Sequence, residues 1–163
     1  MSGKVANSRP PRFWQRAISA SSRPISAGVV CKLGSGKVLT GPRLAAVGNG
    51  GPAAPPAYPA SYPGVLAVTG VDGRNRALIE AGRALHLDYA APGADMTAIN
   101  AAGKRVKVRG TSYAAPLVAA RAAAAMAARA DIVRTLDAEA RDLGARGPDS
   151  SFGRGLVCGA CRG

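Results

Sequence analysis

The chain has 163 residues, enough for one domain with a single core and too few for two ordinary ones. Its residues are 47% hydrophobic but only 4% aromatic, so alanine and valine rather than large rings must fill the interior. Lys and Arg number 22 against 9 Asp and Glu, a formal net charge of +13 that favours encounters with polyanions or anionic membrane but specifies no chemistry.

That charge is unevenly spread, because eight basic and no acidic residues precede Leu44. Over residues 1–43, Pro, Ser, Gly and Arg are scattered without helical or alternating periodicity, apart from "FWQRAI" and "AGVV". This reads as an irregular basic leader, disordered or unrelated to the rest of the chain. It lacks the apolar block of a secretory signal, although its Arg- and Ser-rich, acid-free composition is shared by organellar transit peptides.

From Leu44 the pattern changes. "RLAAV" has the length and apolarity of a buried strand, and "GNGGP" forces a turn after it. A Pro-rich loop comes next, in which Tyr58-Pro59 and Tyr62-Pro63 restrict the backbone. Val65 to Asp72, "VLAVTGVD", is a continuous apolar run, as expected for a parallel strand covered on both faces. "ALHLDYAAPG" predicts a third strand ending at Pro92-Gly93, and "KRVKVRG" alternates Val106 and Val108 with Lys and Arg like an exposed hairpin arm.

"GTSYAAP", Gly110 to Pro116, then opens an alanine-rich helix through about Ala130, with Pro116 in the first turn where a missing N–H costs little. Alanine at nearly every position predicts a helix buried in the middle of the domain. A second helix is predicted from Ile132 to Leu143, stopped by Gly144. Arg121 and Arg129 interrupt the alanine run, so no stretch approaches the ~18 apolar residues of a membrane span.

Of three cysteines, Cys158 and Cys161 form a C-x-x-C. Zinc requires four ligands and the lone histidine, His86, lies far upstream; a thioredoxin-type motif would open a helix, whereas this chain stops two residues later. The spacing alone therefore assigns the pair no role, and no cofactor or metal is expected.

A Ser or Thr ahead of a helix reads first as an N-cap, and an Asn between glycines as a left-handed turn residue. The ordered set "AAVGNGGP" (45–52), "YPASYPGVLAVTGVD" (58–72), "DYAAPG" (88–93) and "GTSYAAP" (110–116) changes that reading. Together these segments resemble the C-terminal half of a subtilisin-like serine peptidase, a subtilase, and "DLGARGPDSSFGRGLV" resembles that family's closing segment. The resemblance covers residues 44–157, with 158–163 as a tail. It implies an α/β fold, a partial subtilisin-like domain whose parallel sheet is flanked by helices around a central Ala-rich helix. It also implies peptide-bond hydrolysis through a seryl acyl-enzyme, on a peptide or protein substrate. Ser112 matches the nucleophile, at a helix N-terminus that favours developing negative charge. Asn49 matches the side-chain donor of the oxyanion hole, with the Ser112 backbone N–H as second donor. Ala46, Val47 and Gly48 match one wall of the primary specificity pocket. Members of the family are commonly secreted or periplasmic; the compartment of this chain is left open.

One departure is decisive for activity. In subtilases the triad runs Asp, His, Ser along the chain, with the first two upstream of the oxyanion asparagine. Here residues 1–48 contain no Asp, Glu or His. His86 lies between Asn49 and Ser112, in the third predicted strand, and Lys104 or Lys107 on an exposed hairpin would stay protonated and serve poorly as a base. The sequence therefore predicts a chain that is inactive alone, completed by an N-terminal half bearing the Asp and His. Two rival readings are a basic nucleic-acid- or anion-binding protein using the leader and "KRVKVR", and a remnant without function.

Overall fold

The computed structural model describes residues 31–32, 38–39 and 41–161. Within the stretch read from sequence as irregular, β1 (Cys31–Lys32) pairs antiparallel with β2 (Val38–Leu39). The expectation of disorder for the leader otherwise falls outside the described residues.

Three parallel strands form the sheet that carries the core, in the order β3 (Arg43–Ala46), β4 (Val65–Val71), β5 (Tyr89–Pro92). All seven residues of β4 are buried, which is why its sequence is apolar without alternation. Leu66 and Val68 face one way, into a cluster with Tyr89, Ala91, Ala114, Val118 and Leu136. Val65 and Ala67 face the other, against Ala45, Val47 and Ala60. The interior is built on alanine and valine, as the composition requires.

The third strand is shorter than expected. Only Tyr89–Pro92 pairs along β4, and Ala84 to Asp88 approach as irregular chain with Leu85 68% exposed. Side chains displace the ladder here. The Asp88 carboxylate accepts the Ala67 N–H at 2.8 Å, and the His86 Nε2 lies 2.9 Å from the Val65 carbonyl oxygen, so both sites on β4 are satisfied before a backbone can pair with them. His86 is thus outside the strand to which the sequence assigned it.

β6 (Met96–Ile99) and β7 (Arg105–Val108) form the expected exposed hairpin, β6 being the partner that periodicity did not single out. Helix α1 (Thr111–Ala127) packs on all three core strands. Contrary to a helix buried all round, it buries one stripe, Thr111, Ala114, Val118, Ala122 and Ala125, and exposes Ala120, Ala123, Ala124 and Ala127. Only one of its faces meets the three-stranded sheet, so the opposite alanines face solvent among the described residues.

Helix α2 (Ile132–Glu139) starts at Asp131, whose Oδ1 accepts the Arg134 N–H at 2.8 Å. It ends at Glu139 rather than Leu143, because the backbone of Arg141 leaves to exchange hydrogen bonds with Leu156 at 2.8 and 3.0 Å. Gly144, expected as the helix stop, is instead a turn residue at φ 78°. Leu136 anchors α2 in the core. Nearby, the Tyr89 hydroxyl donates to Asp137 at 2.7 Å; burial first, and then this acceptor, push the phenol's pKa up.

Past the end of β4, Asp72 organises a tight loop by accepting the backbone N–H groups of Arg74 and Arg76 and the Arg76 guanidinium. Burial alone would raise its pKa, but these donors outweigh that effect and hold the carboxyl at about 2. The folded-state value lies below the ordinary one, so the stabilisation is complete above about pH 4 and is lost as the carboxylate protonates between pH 4 and 2. Acid titration followed by circular dichroism should therefore show a loss on the order of 2 kcal/mol in that window, and Asp72→Asn should remove that component.

β3 has one strand neighbour among the described residues, which leaves an open sheet edge, and the outer face of α1 exposes a row of alanines. Self-association in size-exclusion chromatography and a broad thermal transition are expected. A monomer melting in one sharp cooperative step would contradict this.

Candidate active site

Two turns meet where β3 ends and α1 begins. The Val47 N–H still donates to Val68 at 3.0 Å, but Gly48 at φ 80° breaks the strand and turns Asn49 outward. From the other side the chain leaves β7, and the Gly110 N–H donates to the Gly93 carbonyl at 2.8 Å. Gly110 is the helix N-cap at φ 139°, a conformation that side chains resist, and it provides no side-chain cap.

The two turns are bonded directly. Asn49 Oδ1 accepts the Thr111 backbone N–H at 2.9 Å, and the Thr111 hydroxyl donates to the Gly48 carbonyl at 3.1 Å. Thr111 is fully buried. A Cβ on Gly110 would lie 3.1 Å from Asn49 Nδ2 and crowd the amide, which adds to the cost of the positive φ there. With its oxygen held by Thr111, the Asn49 side chain has its two N–H donors left to offer on the exposed side.

Ser112 occupies the first turn of α1, two residues past the cap, with its side chain exposed. It is therefore not the N-cap. Among the described residues its backbone N–H has no acceptor, as expected of a first-turn amide, and no partner holds its hydroxyl.

The three residues expected to line the substrate wall separate. Ala46 and Gly48 are half-buried along the end of β3, whereas Val47 turns its side chain into the core and is 2% exposed. Three residues that sequence reasoning missed hold the two turns together. Gly82 donates its N–H to the Gly48 carbonyl at 2.7 Å, and a Cβ there would overlap the Val47 carbonyl oxygen. Glu80 accepts the Gly51 N–H on its own carbonyl at 2.9 Å while its carboxylate pairs with Arg109. Hydrogen bonding from Arg109 holds that carboxyl below its ordinary pKa. Thr111, bonded to both Asn49 and Gly48, is the third. Glu80 and Gly82 lie in no recognisable local motif, Thr111 sits within "GTSYAAP", and each of the three acts through a tertiary contact.

His86 is far from this arrangement. Its partners Val65 and Asp88 lie at the N-terminal end of β4, opposite the end from which Asn49 emerges. Lys104 and Lys107 remain exposed on the hairpin. Among the described residues no three metal-ligating side chains converge, and no helix is long and apolar enough to cross a membrane.

A parallel α/β sheet whose strand-end turn is bonded to the N-terminus of the helix packed on it defines the class. The chain belongs to the subtilase family, whose profile matches residues 11–155. The match begins inside the stretch read from sequence as a leader. Among solved structures, the prenylagaramide maturation protease PagA is 25% identical, with a TM-score of 0.56 over 70% of this chain and 46% of that one. A psychrophilic protease is 22% identical, with a TM-score of 0.61 over 70% of this chain and 47% of its own. No curated protein matches. The chain thus spans just under half the length of these structures, and its sheet is a partial subtilisin-like fold.

Proposed function

We propose that this chain is the nucleophile-bearing half of a subtilisin-like serine endopeptidase, in which Ser112 attacks the scissile carbonyl of a peptide and forms an acyl-enzyme. The observation that carries the reading is the Thr111 N–H bonded to Asn49 Oδ1, since this bond leaves the asparagine amide to donate to an oxyanion beside the first turn of α1. The Ser112 backbone N–H is the second donor, and the partial positive charge of the helix N-terminus adds to both. Ala46 and Gly48 offer backbone along one side of the substrate, with Val47 supporting that wall from beneath.

The same reading makes the isolated chain inert. A serine hydroxyl is a weak nucleophile until a neighbouring base takes its proton, and neither His86 nor the hairpin lysines is placed to do so. Residues 1–43 contain no Asp, Glu or His to substitute for the family's base and carboxylate. The base and its carboxylate come from a complementing N-terminal half.

Asn49 allows a specific test in the complemented enzyme. Asn49→Leu removes donor and acceptor, whereas Asn49→Asp keeps an oxygen for the Thr111 N–H and replaces the donors with a negative charge. Both should lower kcat by about 10²–10³, the magnitude found for the equivalent donor in subtilisin, with KM little changed. An increase in KM at unchanged kcat would make Asn49 a binding residue instead.

A further inference from the structure

The C-x-x-C, which the peptidase reading does not use, lies at a built cleft. Cys158 and Cys161 are joined in a disulfide, with Cα atoms 5.2 Å apart. Cys158 is buried and held. Its N–H donates to Glu139 Oε1 at 3.0 Å, and Glu139 is paired with Arg121 of α1 at 2.7 Å. Cys161 is exposed, and its N–H closes the turn on the Cys158 carbonyl at 2.9 Å. Both cysteines line a cleft of about 530 Å³ together with Asn75, Arg121, Glu139 and Arg141.

Three features set this pair apart from a structural staple. Its sequence separation of three closes so short a loop that the bond restrains little chain entropy, so the fold gains little from keeping it oxidised. Cys161 is exposed while Cys158 is buried and fixed by its backbone, the asymmetry that separates an attacked sulfur from a leaving one. The cleft also carries cationic charge. Glu139 is matched by Arg121, whereas Arg141, fixed next to the cysteine segment by its backbone bonds to Leu156, makes no ion pair among the described residues.

We propose that Cys158 and Cys161 form a reversible thiol–disulfide exchange site for small thiols that carry a carboxylate, which Arg141 seats in the cleft. An incoming thiolate forms a bond to the Cys161 sulfur as the Cys158–Cys161 bond breaks. The electron pair leaves on the Cys158 sulfur, which takes a proton from solvent. A second thiolate then attacks the bound thiol's sulfur and releases Cys161. Two thiols are oxidised to one small disulfide, and the protein disulfide is reduced to a dithiol; the reverse sequence reoxidises it.

The test uses the full chain with Cys31→Ser, treated with glutathione as the anionic thiol and 2-mercaptoethanol as the neutral one, then acid-quenched and mapped by mass spectrometry. The native protein should be reduced through a mixed disulfide on Cys161. Arg141→Gln should slow glutathione about fivefold while leaving 2-mercaptoethanol within twofold, and Arg141→Lys should restore most of the rate. Circular dichroism of each variant separates a lost carboxylate site from lost structure. Resistance of the folded protein to excess glutathione, a mixed disulfide on Cys158, or equal effects of Arg141→Gln on both thiols would overturn the proposal.

Discussion

Supplied with peptide substrates, the purified 163-residue chain is expected to turn them over about 10⁶-fold more slowly than a complete subtilase, and Ser112→Ala is expected to change that background by nothing measurable. The magnitude derives from subtilisin itself, where loss of the histidine alone costs about as much as loss of all three triad residues. What survives such a loss in subtilisin is binding and oxyanion stabilisation, and Asn49 is the residue proposed to supply part of the latter here. Addition of a polypeptide bearing the family's Asp and His motifs should raise turnover by several orders of magnitude, and Ser112→Ala should then abolish the gain. A steady rate from the lone chain that disappears with Ser112→Ala would mean that a base had been overlooked. The candidates among the described residues, His86 on the Val65 carbonyl and the exposed hairpin lysines, offer none.

Gly82→Ala is expected to be the most damaging small substitution near the site. Its Cβ would overlap the Val47 carbonyl oxygen and lie 3.1 Å from that of Gly48, both backbone atoms that cannot swing aside. The turn would have to move. That movement would weaken the Gly82 N–H bond to Gly48 and shift the same carbonyl away from the Thr111 hydroxyl, loosening Asn49. A loss of about 3–4 kcal/mol in denaturant unfolding is expected, together with weaker activity in the complemented enzyme. Gly103→Ala is the contrast, because its φ of 72° is unfavourable for alanine while no atom lies within 4 Å of the added Cβ, so it isolates backbone strain from the steric overlap that Gly82→Ala creates. It should cost about 1–2 kcal/mol. If Gly82→Ala lay within about 0.5 kcal/mol of the parent, the range of an ordinary surface change, the turn would not be the rigid support described.

The strands and helices are legible where one physical signal dominates. β4 is apolar throughout because it is covered on both faces, and the alanine run has no competing conformation. The ends are harder to read because tertiary bonds set them. His86 and Asp88 take over ladder positions on β4 and shorten β5, and the pairing of Arg141 with Leu156 pulls α2 apart one turn early. The exposure of one face of α1 is also hidden. Alanine satisfies a buried face and an exposed one alike, so its sequence does not say how many layers cover it.

At the candidate site, the ordered motifs single out Ser112 and Asn49, and the structure bonds their two turns together through Thr111. Glu80 and Gly82 are not, because they act from 31 and 33 residues beyond Asn49 through backbone contacts that leave no local pattern. For the cysteine pair, spacing alone is silent. Its significance comes from Arg121, Glu139 and Arg141, which the sequence scatters and the fold gathers at one cleft.

The central claim is that Ser112 stands beside a turn proposed to stabilise an oxyanion, with no group among the described residues placed to accept its proton. Labelling with a fluorophosphonate, followed by peptide mapping, tests this most directly. The account predicts modification of Ser112 only when an Asp- and His-bearing half is present, and none with Ser112→Ala. Stoichiometric labelling of Ser112 in the lone chain, at a rate typical of active serine peptidases, would contradict it.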